Sequence, residues 1–474
     1  MSAVPQHPGL PPAPVPSGPP APGVQAPLTV QVPSWLVVRF PLILATLVLA
    51  LIAVPRIVLA LTSIVREYPG AGAITLLVWT LYALPLLALI LTVDYFEREP
   101  WTLVLFALVW GGFVATGLAL SGNDAIQSIV TTAAGPDTAA RWGAALAGPT
   151  TEEVLKALGV VTAALLARRR MRSPVDGFVI GAVVGLGFQV VEDVVYTGNA
   201  LALGDAAGSP GQVVWQMFVI RGLYAGLWSH AAYTGLFGLG LGYALTRPNW
   251  TPSRRVLAVV LGFGAAWGLH FLWNSPLLVE DIGWELVVVK GLPTLLLLLV
   301  LLRRAQRADS AVFLPALAGA PGWATRQELG DLADRKSRKL ARRQARRSGG
   351  RPAGRAVRAL HRAQADLAVA LTTGDARGAD LARAAVLTAR SRPGAPGSAV
   401  QGRGLVGERL GTWSVGVAVA GFVVPLLGLV AAVLATGGLI RAGTVEETAS
   451  RRLWWGLGLG LFVLGLGMAV TPTG

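Results

Sequence analysis

Long apolar runs broken by short polar connections make up most of this chain. A hydrocarbon core about 30 Å thick takes about 20 helical residues to cross. Runs of that order fall near 36–54, 72–93, 101–120, 150–167, 175–197, 214–245, 255–275 and 284–302, with two more near 412–437 and 453–470. The pattern predicts an all-α fold, a polytopic membrane helix bundle of about 8–10 transmembrane helices. In the fifth run, "DGFVIGAVVGLGF", Gly177, Gly181 and Gly185 recur every fourth residue. That spacing lets a neighbouring helix approach closely.

Two stretches break the pattern. Residues 1–33 are rich in proline and almost uncharged, which predicts an extended, disordered tail. No basic stretch, apolar core and small-residue cleavage site precede the first run, so no cleavable signal is expected. Residues 303–410 hold 22 of the 40 Lys and Arg against 8 acids, and include "ADRKSRKLARRQARRSGGR". The resulting division is a tail (1–33), a transmembrane core (34–302) whose chemistry-bearing stretches lie within 150–275, a basic cytoplasmic helical segment (303–410) and two additional transmembrane helices (411–474).

Composition sharpens the class. Hydrophobic residues are 53% of the chain, charged residues 14%, and mean hydropathy is +0.59, the balance of a membrane protein. Cysteine is absent, which excludes disulfides, zinc fingers and thiol catalysis. The net charge of +15 resides almost entirely in 303–410. Such a segment beside membrane spans points to the lipid bilayer and anionic lipid headgroups as partners rather than to nucleic acid. "SRKLARRQARR" is too uniformly charged to bury a face by itself. Basic loops attract the cytoplasmic side. "ARRRMRSP", "RPNWTPSRR" and the 303–410 segment are separated by even numbers of spans, so all three can be cytoplasmic, with both termini inside the cell membrane. The acidic, base-poor stretches near 121–140 and 198–212 suit the outside.

Ionisable groups at membrane depth are costly unless paired or facing a water-filled cavity, and so mark functional sites. Within the spans they are Glu152, Glu153 and Lys156, then Glu192 and Asp193, then Arg221 and His230, and finally His270. The stretch "TTEEVLKALGV" also has a plain structural reading. Pro149 would stop an earlier helix, Thr150 and Glu153 would form a capping box, and Glu152 would pair with Lys156 four residues on. Four consecutive runs nevertheless contribute charged groups. Phe188 and Glu192, and His270 and Asn274, share helix faces. Counted from the ends of the runs, Glu152, Glu192, His230 and His270 fall near the midplane or in the outer half. One carboxylate with two histidines is a donor set for catalytic zinc, with a further glutamate to take a proton from water. The same residues could activate water without a metal, with Asn274 donating to a developing oxyanion.

"EEVLK", "FQVVED" followed by Tyr196, His230 in "RGLYAGLWSHAAYTG", and "HFLWN" resemble the four motifs of the PrsW family of intramembrane proteases, relatives of the CAAX-prenyl-protease-like membrane endopeptidases. The likeness covers roughly residues 75–300, and its specificity lies in the order of the four motifs on successive spans. It implies a multi-pass protease that cuts a membrane-anchored protein, such as an anti-sigma factor, at the extracytoplasmic side. It also implies that Glu152 and Glu153 include the general base, and that Glu192, His230 and His270 bind a metal such as zinc or activate water. Asp193 stands where the family usually has asparagine. Within this picture water loses its proton to Glu153 or Glu152, Lys156 is expected to hold one of the two acids ionised, with Glu152 favoured by the four-residue spacing and Glu153 then freer as base, and Asn274 is an oxyanion donor. Two other classes compete: a proton-coupled transporter, for which no convincing inverted repeat is visible, and a non-catalytic membrane scaffold.

Overall fold

The structure, a computed structural model, describes residues 34–203, 209–278 and 284–392. The expected tail and the two apolar runs near 412–437 and 453–470 lie outside the described residues. Among the described residues every regular element is helical. α1 (Ser34–Glu67) and α2 (Pro69–Ile90) are followed by a continuous rod, Trp101–Ala134. The rod joins α3 (Trp101–Val109), a π-helical segment Trp110–Ala115 and α4 (Thr116–Ala134). Then come α5 (Pro136–Leu166), α6 (Pro174–Ala202), α7 (Pro210–Met217), α8 (His230–Thr246) and α9 (Pro252–Asn274). A short α10 (Trp284–Leu286) leads to α11 (Leu292–Ala318), and α12 (Arg326–Leu332), α13 (Arg335–Thr373) and α14 (Ala376–Arg390) are the last of the described helices.

Among the described residues five helices are long and apolar enough to cross a membrane: α1 from Phe40, α2, the Trp101–Ala134 rod, α6 and α9. Two of the expected spans lie outside the described residues, and local features keep some of the others below that standard. α5 carries Glu152, Glu153 and Lys156 in mid-helix. The run 214–245 is not one helix: α7 passes into a π-helical segment (Phe218–Ala225) and a 3-10 turn (Gly226–Trp228), and the chain breaks at Ser229 before α8. The first and third runs extend well beyond their apolar stretches, to Glu67 and Ala134.

α6 is the central helix. Its apolar stretch is fully enclosed, packed by α2, α3, the first π segment, α5, α7 and, most extensively, α8. The glycine stripe makes this possible. A Cβ at Gly177, Gly181 or Gly185 would overlap the carbonyls of Gly238, Thr234 and His230 on α8. α6 starts sharply because Ser173 and Asp176 form a reciprocal capping box ahead of Pro174.

The capping-box reading of "TTEEVLK" fails. α5 runs unbroken through Pro149, so Thr150 is no N-cap and the glutamates sit mid-helix. Pro149 removes a helical donor, yet α5 continues past it; nearby, Asn274 of α9 donates to the Ala144 carbonyl (3.2 Å) and Thr151 of α5 itself to the Ala147 carbonyl (3.0 Å).

Beyond the bundle, α11–α14 build a second core from Phe313, Leu317, Leu332, Leu360, Leu367 and Val386, with Phe96 of the α2–α3 loop. Glu328 ties it together, accepting from Arg390 (2.9 Å), Gln364 (2.9 Å) and the backbone of Thr325 (2.9 Å). The apolar residues lie in the second half of α13. The arginine-rich first half buries little, as its composition requires.

Candidate metal centre

α5, α6, α8 and α9 converge on a cavity of 220 Å³. Each brings its charged residue for an identifiable reason. The glycine stripe brings α8 against α6, and the break at Ser229 puts His230 at the first position of α8. Gly148 leaves room where a side chain would crowd Asn274, Glu152 and His270.

Within the cluster the two histidine rings are perpendicular, with centroids 5.0 Å apart. Glu152 Oε2 lies 3.8 Å from His230 Nδ1 and 3.9 Å from His270 Nε2. One donor atom each from Glu152, His230 and His270 falls within 4.8 Å of the others, and all three residues are buried. Glu152 Oε1 accepts from Asn123 Nδ2 at 3.1 Å, whereas the buried Oε2 has no hydrogen-bond partner.

Glu153 faces elsewhere. Its Oε1 is 2.9 Å from His270 Nδ1 and 2.6 Å from Lys156 Nζ, its Oε2 accepts from Thr234 (3.2 Å), and it does not line the cavity. Lys156 is fully buried, 3.6 Å from Glu152, 2.8 Å from His230 Nδ1 and over the Phe188 ring at 4.3 Å. The nearer partner of Lys156 is therefore Glu153, the reverse of what the four-residue spacing suggested. A carboxylate hydrogen-bonded to the far nitrogen of a ligating histidine fixes its tautomer and ring orientation, and Glu153 is placed for that on His270.

Glu192 lines the cavity with its Oε2 3.1 Å from His230 Nε2. Arg221, on the π-helical segment, reaches Glu192 Oε2 at 2.7 Å and Asp193 Oδ1 at 2.5 Å, and stacks 3.9 Å over the Tyr196 ring. The extra charge at Asp193 thus shares the Arg221 counter-ion with Glu192. Asn274 lines the cavity beside His270. Among the described residues the structure gathers all seven sequence-selected residues, Glu152, Glu153, Lys156, Glu192, His230, His270 and Asn274, and groups Glu152 rather than Glu192 with both histidines.

The donor set suits a divalent cation. Gathered here are four buried carboxylates (Glu152, Glu153, Glu192 and Asp193) and two cations, the buried Lys156 and the partly exposed Arg221. With the carboxylates ionised and the histidines neutral, two negative charges are left over. Uncompensated charge at membrane depth is expensive, and a divalent ion beside the orphaned Glu152 Oε2 would close both deficits. A carboxylate with two imidazoles is a zinc-type set with room for water.

Sequence reading missed three residues. Asn123 and Gln127, four apart on α4, line the cavity from a helix that appeared to end at residue 120. Tyr233, one turn after His230, stacks on the His270 ring (5.4 Å) with a buried hydroxyl that has no partner. A polar spacing of four at the end of the third run was the available signal for the first two. Nothing in an apolar context singled out Tyr233.

A polytopic helical bundle that encloses a buried Glu/His/His cluster has the architecture that an intramembrane metalloprotease needs. Residues 99–303 match the family model of the PrsW family intramembrane metalloproteases, so this segment carries a domain of that family and the chain is an intramembrane metalloprotease. No curated protein and no solved structure gives a match.

Proposed function

We propose that this chain hydrolyses a peptide bond near the outer end of a transmembrane segment of a membrane-anchored protein, an anti-sigma factor being the type of substrate that the resemblance implies. Glu152 Oε2, which lies between two histidines without a hydrogen bond on the wall of a polar cavity inside the bundle, carries this reading. Glu152, His230 and His270 would hold the ion, zinc by donor type. Bound there, it would supply an acidified water and polarise the scissile carbonyl.

The chain's own groups do the rest. Glu192 faces the cavity and takes the proton from the attacking water, with Arg221 paired to it at 2.7 Å. Glu153 and Lys156 hold His270 and His230 in orientation. The free Tyr233 hydroxyl and the Asn274 amide donate to the developing oxyanion. The enclosing helices keep lipid out while the polar lining admits water.

The site lies toward the C-terminal ends of α6 and α9 and the first turn of α8. Arg168–Arg170, Arg247, Arg254 and the α12–α14 region lie at the opposite ends of these helices. That segregation supports a cell-membrane protein with the basic end and both termini cytoplasmic, the cleavage site toward the outer half, and the basic segment against anionic lipid.

Comparison of membrane-protein termini in cells producing wild type or Glu152→Gln tests the function. New termini at the outer ends of transmembrane segments, present only with wild type, are expected. Identical termini in both would overturn the proposal.

A further inference from the structure

A second site lies outside the bundle, in α13. The helix bends at Gly349–Gly350, where Gly350 has φ 72°, a left-handed conformation that favours glycine, and Pro352 starts the returning arm. Gly354 sits against the backbone of the first arm, within 3.3 Å of the Arg342 carbonyl for an added Cβ, so the arms run close together. Between them is a cleft of 320 Å³ lined by Arg342, Arg346, Arg351, Arg355 and Arg358 around Gly354, with no acidic residue.

Arg342 and Arg358 also line an adjoining cavity of 430 Å³. Its wall includes Leu91 and Thr92, the residues directly after the α2 span, so it opens where the apolar bundle ends. Arg335, Arg338 and Lys339 add positive charge, and Asp94 is the one carboxylate in the lining. Asp94 Oδ1 is engaged by the backbone of Phe96 and Glu97 at 2.7 and 3.1 Å. Arg338 donates to the carbonyls of Tyr95 and Leu332 and rests 4.8 Å over Phe96. Burial pulls its guanidinium down to about 10, which leaves it charged at neutral pH. His361 is pushed down to about 4 by burial and by Arg338, so it stands neutral in the wall.

Arg335, Lys339, Arg342, Arg346, Arg355 and Arg358 make no ion pair among the described residues. A fold that aligns arginines from two antiparallel arms without counter-charges stores repulsion, which a multiply charged anion would relieve. Guanidinium forks match phosphate oxygens bidentately.

We propose that the arginine cleft of the α13 hairpin is a specific phosphate-binding site, taking a phosphomonoester or pyrophosphate group at the membrane edge. The group comes from an anionic lipid headgroup or from a free phosphorylated small molecule. This rests on the placement of the basic segment at the lipid surface, and sharpens it from diffuse attraction to a built site.

The full chain is reconstituted in phosphatidylcholine nanodiscs and titrated with inorganic pyrophosphate. Parallel nanodiscs carry phosphatidic acid or phosphatidylserine at equal surface charge, read by native mass spectrometry. Arg342→Gln with Arg358→Gln is compared with Arg343→Gln with Arg347→Gln, which removes the same charge from exposed positions of the same arm. Saturable one-to-one binding, weakened about tenfold or more only in the cleft variant, is expected. Pyrophosphate binding would identify a free ligand, and preference for phosphatidic acid over phosphatidylserine a lipid one. Equal weakening in both variants, or neither pyrophosphate binding nor a headgroup preference, would overturn the site. Tighter binding of a single-stranded RNA oligonucleotide with the same variant pattern would replace it with nucleic-acid binding. Arg342→Lys with Arg358→Lys controls for folding and should bind at intermediate strength. Proteolysis is not read, so failure here leaves the proposed activity standing, and the reverse.

Discussion

Arg221 and Asp193 offer a test of how the buried charges are balanced. Arg221→Gln would leave Asp193 and Glu192 without the guanidinium that now sits 2.5 and 2.7 Å away. Removing one partner of a buried ion pair costs about 3–5 kcal/mol. The Arg221 side chain is 23% exposed toward the cavity, so the low end, about 3 kcal/mol, is expected. Asp193→Asn should cost about 1 kcal/mol, because Arg221 still holds Glu192. In the double variant the orphaned charge at 193 is gone, so its cost should fall short of the sum by about 1–3 kcal/mol. Equilibrium unfolding in detergent micelles, run on all four proteins without added metal, measures the cycle. Costs that add within about 0.5 kcal/mol would refute the pairing, and with it the statement that Arg221 compensates the acid standing at 193.

Three further outcomes follow from the same geometry. Glu153→Gln should lower zinc affinity about 10–100-fold, as expected for a group that orients a ligand, and Glu152→Gln should lower it more; chelator competition checks this, and an unaltered affinity in Glu152→Gln contradicts the assignment. Gly185→Leu should prevent α6 and α8 from closing, since even a Cβ overlaps the His230 carbonyl; loss of activity and at least about 1–3 kcal/mol of stability is predicted, and a wild-type phenotype would refute the close packing. Glu97, in the loop after α2, is pushed up to about 7 chiefly by burial, against Arg172 and Arg170. The folded state keeps its proton up to about that pH while the unfolded chain releases it near 4.5. Its stabilising contribution is therefore complete below pH 4.5 and is lost as pH rises through 7. Thermal unfolding in nanodiscs should show this decline between pH 5 and 7, and Glu97→Gln should flatten it.

The bundle and most of its site were legible because membrane depth makes charge rare and therefore conspicuous. Glu152, Glu153, Lys156, Glu192, His230 and His270 stood out against apolar runs, and the glycine stripe announced the α6–α8 contact. What escaped depended on geometry that periodicity does not encode. Pro149 looked like a helix stop, yet α5 runs unbroken through it. The π-helical turn and the break at Ser229 hid inside one apolar run, although they aim Arg221 and His230. Lys156 pairs with both acids, at 3.6 Å from Glu152 and 2.6 Å from Glu153; spacings of three and four both place side chains on one face, so the nearer partner was not legible.

Metal content of detergent-purified protein tests the central claim most directly. Elemental analysis should find one zinc per wild-type chain and none in His230→Ala with His270→Ala, while both proteins remain folded and Glu192→Gln keeps its metal. A catalytically active wild type with no bound metal, or zinc undiminished in the double histidine variant, would contradict the metal centre formed by Glu152, His230 and His270.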